Sequence, residues 1–306
     1  MSVVARQSFK YSIIGYLGFL LGMVSAVFIF PSDLTYYGKL RYILPAAQMY
    51  MTVVVFGLSF SNVYFFGRLK EVNKQQNFLS WSLLLVAINF VVFTGGFFAI
   101  FYFFPDLKKD SQLWNLRKII VPLILILSLS SVFNKYISNF KRIVVPNIFE
   151  NLFPKIANLL AFSLFFYLGF QEYFSFLAFF FIFVLAFFGY IIYTNKLEKI
   201  HLDFSTDYLK QNHFWKEVFS YSFYGFLGNL GSVLALNISS YMIGESIGME
   251  ENGVYSTIFS IVQLISIPAM GLYNISAPFI SKHFAENTIK ELDSYYKKTS
   301  LSLFFL

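Results

Sequence analysis

Eight apolar runs, each about as long as a helix must be to cross a hydrocarbon layer, leave this chain little alternative to a membrane-embedded helical bundle. They occupy residues 11–30, 43–66, 79–104, 119–136, 145–170, 174–193, 214–243 and 253–280. A ninth begins near Thr299 and stops within a couple of turns at Leu306, so the sequence reads as a fragment that ends inside a helix. The 42 phenylalanines exceed what one water-surrounded core can hide, whereas side chains that face lipid carry no penalty for being large and apolar. The first run follows Arg6 and Lys10 as a secretory signal would. It is too long for one, since a signal's apolar region spans about 7–15 residues.

The chain restarts. Residues 9–18, FKYSIIGYLG, return as residues 219–228, FSYSFYGFLG, with Phe9, Tyr11, Ser12, Gly15, Leu17 and Gly18 matching Phe219, Tyr221, Ser222, Gly225, Leu227 and Gly228. Further echoes follow in order: Tyr37-Gly38 is answered by Asn252-Gly253, and Gly57-Leu58 by Gly271-Leu272. A period of roughly 200 residues is far longer than a solenoid unit and fits two repeated helical lobes. The predicted organisation is therefore all-α: a six-helix lobe over residues 1–193, a polar cytoplasmic connector over 194–213, and the incomplete start of a second lobe over 214–306. The mixed charges of the connector, among them Lys196, Glu198, Asp203, Asp207 and Lys210, suit a surface helix or loop.

Charge gives an orientation. Counting from a cytoplasmic N-terminus, the inner segments hold Arg6, Lys10, Arg68, Lys70, Lys74, Lys135, Lys141, Arg142, the connector lysines and the lysines after residue 280. The outer loops hold Lys39 and Arg41, then Lys108, Lys109, Arg117 and Lys118, and no others. This imbalance places the N-terminus inside. The net charge of +7 has the same origin, because the basic residues lie in short loops and not along one face, which argues against a nucleic-acid partner. Zero cysteines exclude thiolate metal sites and cysteine nucleophiles.

Polar side chains inside a span are costly, which makes them functional candidates. The fifth run carries the richest set: Asn147, Asn151, Lys155 and Asn158 fall within about 80° of one another on a helix, with Glu150 beside them, opposite Leu152, Phe153, Ile156 and Leu160. Such a face looks at protein or at a water-filled cavity. Lys155 lies roughly 13 Å beyond Pro146, which strains any reach of its ammonium to the inner surface. Either Lys155 serves a ligand or it pairs structurally, although Glu150 lies too far round the helix to be a good partner. Pro154 removes a hydrogen bond and can kink this helix. Small-residue stripes at Gly15, Gly18 and Gly22, and at Gly225, Gly228 and Ser232 with Asn229, suit close helix contacts, and Asn229 can hydrogen-bond across one. Signals for catalysis are weak. His201, His213 and His283 lack metal-ligand spacing, no phosphate-binding glycine loop occurs, and Asp106 and Asp110 with Lys108 and Lys109 read as a solvated turn. No cofactor or metal is called for.

Six spans, a connector and a restarted pattern resemble the polysaccharide flippases, O-antigen type included, of the multidrug/oligosaccharidyl-lipid/polysaccharide exporter superfamily. Gly253-Val254-Tyr255-Ser256 is similar to the signature that opens the family's eighth helix, and Pro268, Pro278 to Lys282 and Glu286 to its cytoplasmic end. Tyr37-Gly38 and Gly57-Leu58-Ser59 resemble the matching loop and second helix. Family members usually have twelve or more helices, and many carry a charge late in the seventh helix, where this chain has Asn237, Ser239 and Ser240. The resemblance implies a multi-pass protein of the bacterial inner membrane that flips a lipid-linked oligosaccharide on an undecaprenyl-pyrophosphate carrier by alternating access. It implies partners among the polymerases and glycosyltransferases of polysaccharide biosynthesis. Substrate contacts would come from Asn147, Glu150, Asn151, Lys155, Asn158 and Asn229. A drug or cation antiporter of the same superfamily, resting on Glu150, and a membrane-embedded polymerase or glycosyltransferase are the alternatives.

Overall fold

The structure, a computed structural model, describes residues 3–210, 214–262 and 289–304, which are helical apart from short connections, with no strand among them. The first helix, α1 (Val3–Val24), runs on through a wide π turn at Ser25–Ile29 and a 3-10 turn at Phe30–Ser32. Then come α2 (Leu34–Val55), α3 (Leu58–Tyr64), α4 (Phe66–Glu71), α5 (Gln75–Phe103) and α6 (Arg117–Ser138). The next, α7 (Phe153–Phe166), is entered through Val144–Asn147 and a π turn at Ile148–Leu152. It is followed by α8 (Glu172–Leu197), α9 (Phe214–Ser246), a helix over 249–262, and α10 (Ile289–Phe304).

Six of the described helices are long and apolar enough to cross a membrane, and a seventh span results if α2 and α3 count as one bent crossing. Each of the first seven sequence runs thus meets a helix. Most of the eighth run, together with Gly271-Leu272 and Pro278 to Glu286, lies outside the described residues. The apolar side chains are exposed where a soluble protein would hide them: Phe28, Val91, Val92, Phe103, Phe181 and Ile192 all point outward from long helices, as lipid contact requires.

The second run is not one straight helix. It bends by 59° at residues 56 and 57, where both Phe56 (φ 48°) and Gly57 (φ 73°) are left-handed. Phe56 bears the strain and Gly57 explains the place. A Cβ on Gly57 would come 1.9 Å from the Ser222 carbonyl oxygen, so only glycine lets this corner seat on α9. The helix also starts early, because the Asp33 carboxylate caps it by accepting from the Tyr36 amide at 2.8 Å. Lys39 and Arg41, read from sequence as loop residues, therefore lie inside α2.

Between the two halves of the chain, α2 and α3 run along α9. The echoed glycines meet here. A Cβ on Gly38 would lie 1.6 Å from the Met249 carbonyl oxygen and 3.0 Å from the Gly253 nitrogen, and one on Gly253 would lie 2.1 Å from the Leu34 carbonyl oxygen. Around this contact the Asn252 amide donates to the Gly38 carbonyl (2.8 Å), and the Ser240 hydroxyl reaches both Asn252 Oδ1 (2.7 Å) and the Arg41 carbonyl (2.8 Å). The Tyr42 hydroxyl donates to Glu245 (2.5 Å), which also accepts from the Leu113 amide (3.2 Å). At the other end Ser61 meets Ser222 (2.7 Å), Tyr64 stacks on Tyr221 with centroids 4.1 Å apart, and Arg68 pairs with Glu217 (2.7 Å).

The connector is neither free loop nor helix over most of its length. Its first residues, Thr194 to Leu197, complete α8, and residues 198–206 dock on the start of α5. Asn77 Nδ2 donates to the Asp203 and Ser205 carbonyls (3.0 and 2.9 Å), and Trp81 Nε1 donates to the Ser205 carbonyl (3.4 Å). Ser80 Oγ accepts from the Asp203 amide (3.1 Å), while Lys74 reaches Asp203 and Ser205. The Ser205 amide and hydroxyl, donating to the Asp203 carboxylate, hold its pKa down at about 2.

Candidate functional site

The fifth run is shaped by Pro154. With no amide hydrogen to give, proline cannot continue the regular ladder, and the chain ahead of it widens into the π turn, closed by the Phe153 amide on the Ile148 carbonyl. The polar residues of this run therefore do not lie as a regular helix would place them, although Asn147, Asn151 and Lys155 still share a side. That side packs on α1. Asn147, only 1% exposed, donates through Nδ2 to the Tyr11 carbonyl (2.8 Å) and accepts from the Asn151 amide. Gly18 leaves room for the Asn151 backbone, where a Cβ would come 3.2 Å from the carbonyl oxygen. Gly22 leaves room for the Lys155 stem, where a Cβ would come 3.2 Å from Cγ. The small-residue stripe of α1 is thus the bed of the polar face, while Gly15 meets nothing within 4 Å.

Lys155 is half-buried, and no hydrogen bond or ion pair holds its ammonium among the described residues. Asn158, one turn on, is 7% exposed and its Oδ1 is buried without a partner. Glu150 goes elsewhere: it accepts from Asn134 Nδ2 of α6, with Lys135 and Tyr190 as further neighbours, and does not pair with Lys155. Asn229 is likewise apart, its amide making a long 3.5 Å contact with Thr52 of α2. So the structure brings Asn147, Asn151 and Lys155 together along α1, with Asn158 a turn beyond Lys155 on the same helix, and leaves Glu150 and Asn229 in separate contacts.

Sequence reasoning missed Arg41. Counted as a loop cation, it lies two turns inside α2, half-buried, with its Nε buried and unpartnered. The signal was Asp33, whose capping role starts the helix at Leu34 and so carries Arg41 into the bundle. His201 is exposed, and His213 and His283 lie outside the described residues, among which no cluster of His, Cys, Asp or Glu is fit to hold a metal. The turn over 106–110 pairs Lys109 with Asp106 at 3.3 Å, both strongly exposed, as a solvated turn does.

Apolar spans, a bent second crossing, and polar groups turned inward define a multi-pass membrane protein, and its fold is similar to that of a solved transporter. It superposes on a multidrug resistance MATE family transporter of the MOP superfamily, in an inward-facing conformation, with a TM-score of 0.60, 16% identity and coverage of 97% of this chain. The chain spans 66% of that transporter's length. Comparison with curated proteins gives no match. Residues 4–284 match the polysaccharide biosynthesis protein family, and the chain belongs to it.

Proposed function

We propose that this protein flips a lipid-linked oligosaccharide, carried on undecaprenyl pyrophosphate, from the cytoplasmic to the outer leaflet of a bacterial inner membrane, with its N-terminus in the cytoplasm. The family membership and the transporter fold support transport for polysaccharide assembly. The observation that carries the substrate is Lys155, a cation held within a span with no carboxylate on it among the described residues. A charge kept there without a partner suits an anionic ligand that comes and goes. The neighbouring asparagine amides suit sugar hydroxyls, and the two halves, meeting along α2 and α9, are the lobes that rock about the site.

The test is surface polysaccharide in a flippase-deficient strain carrying the gene with Lys155→Ala. Loss of a charge-assisted contact of about 1.5–3 kcal/mol predicts a fall of roughly 10- to 100-fold in transport. Undiminished polysaccharide, with the variant present in the membrane, would remove Lys155 from the site. A drug or cation antiporter is the second reading, favoured by the Glu150 carboxylate on its π turn against Asn134. It predicts cation-driven drug efflux that Glu150→Gln abolishes and Lys155→Ala spares.

A further inference from the structure

We infer that the connector is a membrane-surface anchor: residues 198–206 lie in the headgroup layer of an anionic phospholipid leaflet, with Leu202 and Phe204 turned toward the acyl chains. The side of α5 that receives the connector shows where it lies. Asn77, Ser80 and Trp81, which hold it, share that side with Leu84, Ile88, Val91 and Val92, all within about 60° of Asn77 at roughly 100° per residue. The four apolar side chains are exposed along the span. A side that presents leucine, isoleucine and valine outward over several turns is a lipid side. The connector therefore docks on the flank of the bundle that meets lipid.

Depth follows from the same contacts. Trp81 sits six residues into α5, about 9 Å from its start at Gln75, and Lys74, just ahead of that start, pairs with Asp203. The Trp81 ring meets those of Phe204 and Trp215 with centroids 6.0 and 5.9 Å apart, while its Nε1 donates to the Ser205 carbonyl. Indoles with a polar tip, set between a lysine and an apolar stripe, belong at headgroup depth. Along the connector, exposure alternates as it does in an extended chain: Asp203 and Ser205 turn to α5, whereas Leu202 and Phe204 are 70% and 46% exposed. The inward pair is polar and the outward pair apolar. That is the reverse of a segment facing water, and it prolongs the stripe of Leu84 and Ile88 toward the surface.

Charge selects the lipid. Lys196 and Lys199 are exposed and make no ion pair among the described residues. The carboxylates beside them are engaged inward, Glu198 by Gln75 and Tyr136 and Asp203 by Lys74, and Asp207 opens a short helix past the connector's docked part. Two cations without carboxylates, next to an outward apolar pair, fit lipid phosphates above acyl chains. The placement is the same whichever side of the membrane the connector occupies, and it is independent of what the bundle transports.

Because the chain has no cysteine, Leu202→Cys and Phe204→Cys each take a single nitroxide in the whole protein. Reconstituted in nanodiscs of phosphatidylcholine, with or without phosphatidylglycerol, each label is tested by power saturation for collisions with oxygen, which concentrates among acyl chains, and with a water-soluble nickel chelate. Glu71→Cys, exposed at the end of α4, is the water reference, and Ile88→Cys the lipid reference. The oxygen-to-nickel ratio at 202 and 204 is expected to exceed that at 71 by about 3-fold or more and to fall short of that at 88. Phosphatidylglycerol should raise it by about 2-fold, and the double variant Lys196→Gln/Lys199→Gln should abolish the rise. Should Phe204→Cys disturb Trp81, the more exposed Leu202→Cys carries the test alone. A ratio equal to that of the water reference would overturn the anchor and leave the apolar pair to a protein partner. A ratio indifferent to phosphatidylglycerol, or a rise that survives loss of both lysines, would overturn anionic lipid as the partner.

Discussion

Replacing Gly38 by alanine tests the meeting of the two halves most directly. The new Cβ would sit 1.6 Å from the Met249 carbonyl oxygen and 2.7 Å from its carbon, against backbone that cannot rotate away. An ordinary carbon–oxygen contact is about 3.3 Å, so α2 and the helix over 249–262 must part by roughly 1.7 Å at this level. Parting stretches the 2.8 Å bond from the Asn252 amide to the Gly38 carbonyl, both buried. Overpacking costs about 1–3 kcal/mol and a stranded buried amide about as much again, giving about 2–6 kcal/mol in all. Melting in detergent solution should fall by on the order of 10 °C. Because the chain has no cysteine, Ser240→Cys supplies a single reporter at the contact, and a maleimide should label it faster in the Gly38→Ala background. Gly95→Ala is the control, since a Cβ there meets nothing within 4 Å and helix propensity predicts a gain of about 0.5–1 kcal/mol. A Gly38→Ala protein that melts within about 2 °C of wild type and labels no faster would refute this account of the interface.

The docked connector makes two more predictions. Asp203 has a pKa of about 2, below the ordinary carboxylate value of about 3.9, so its contribution is complete above pH 4 and is lost as pH falls through 2. The protection of amides 198–206 against hydrogen exchange, measured relative to their intrinsic rates at each pH, should fall on acidification across that window, and Asp203→Asn should flatten the dependence. Asn77→Leu strands the two carbonyls its amide serves, at a cost of about 1–3 kcal/mol, and limited proteolysis should then cut the connector ahead of any helix.

What the sequence shows of this fold follows from the strictness of the lipid phase. A span must be long, apolar and helical, so the runs are legible wherever they occur, whereas the Gly38 and Gly253 echo, read only as a sign of a repeat, falls on two glycines that meet in the structure. Helix starts are less visible, because residues 36–42, YYGKLRY, look too polar for a span until the Asp33 cap and the buried tyrosines are seen. That obscured Arg41. The break at Phe56 and Gly57 was hidden inside an apolar run, and its cause, the Ser222 carbonyl, lies 165 positions away. The polar side of the fifth run was legible from an assumed regular helix. Glu150 parts from it because the π turn and the neighbours on α6 are tertiary facts, although Pro154 marked where the regular period would fail, while Asn229 makes a long cross-helix contact with Thr52 of the kind its stripe suggested.

Part of the clasp on the connector grips main chain: an asparagine amide and an indole donate to carbonyls, and a serine hydroxyl accepts from an amide. Every residue offers those groups. Apart from Glu198, Asp203 and Ser205, whose side chains are held, the strap joining the two halves can therefore change in sequence while keeping its path, provided that Asn77, Ser80 and Trp81 stay. Among homologues, a variable segment at this point would mark a fixed anchorage read from outside, and substitution rate there would be a poor guide to motion.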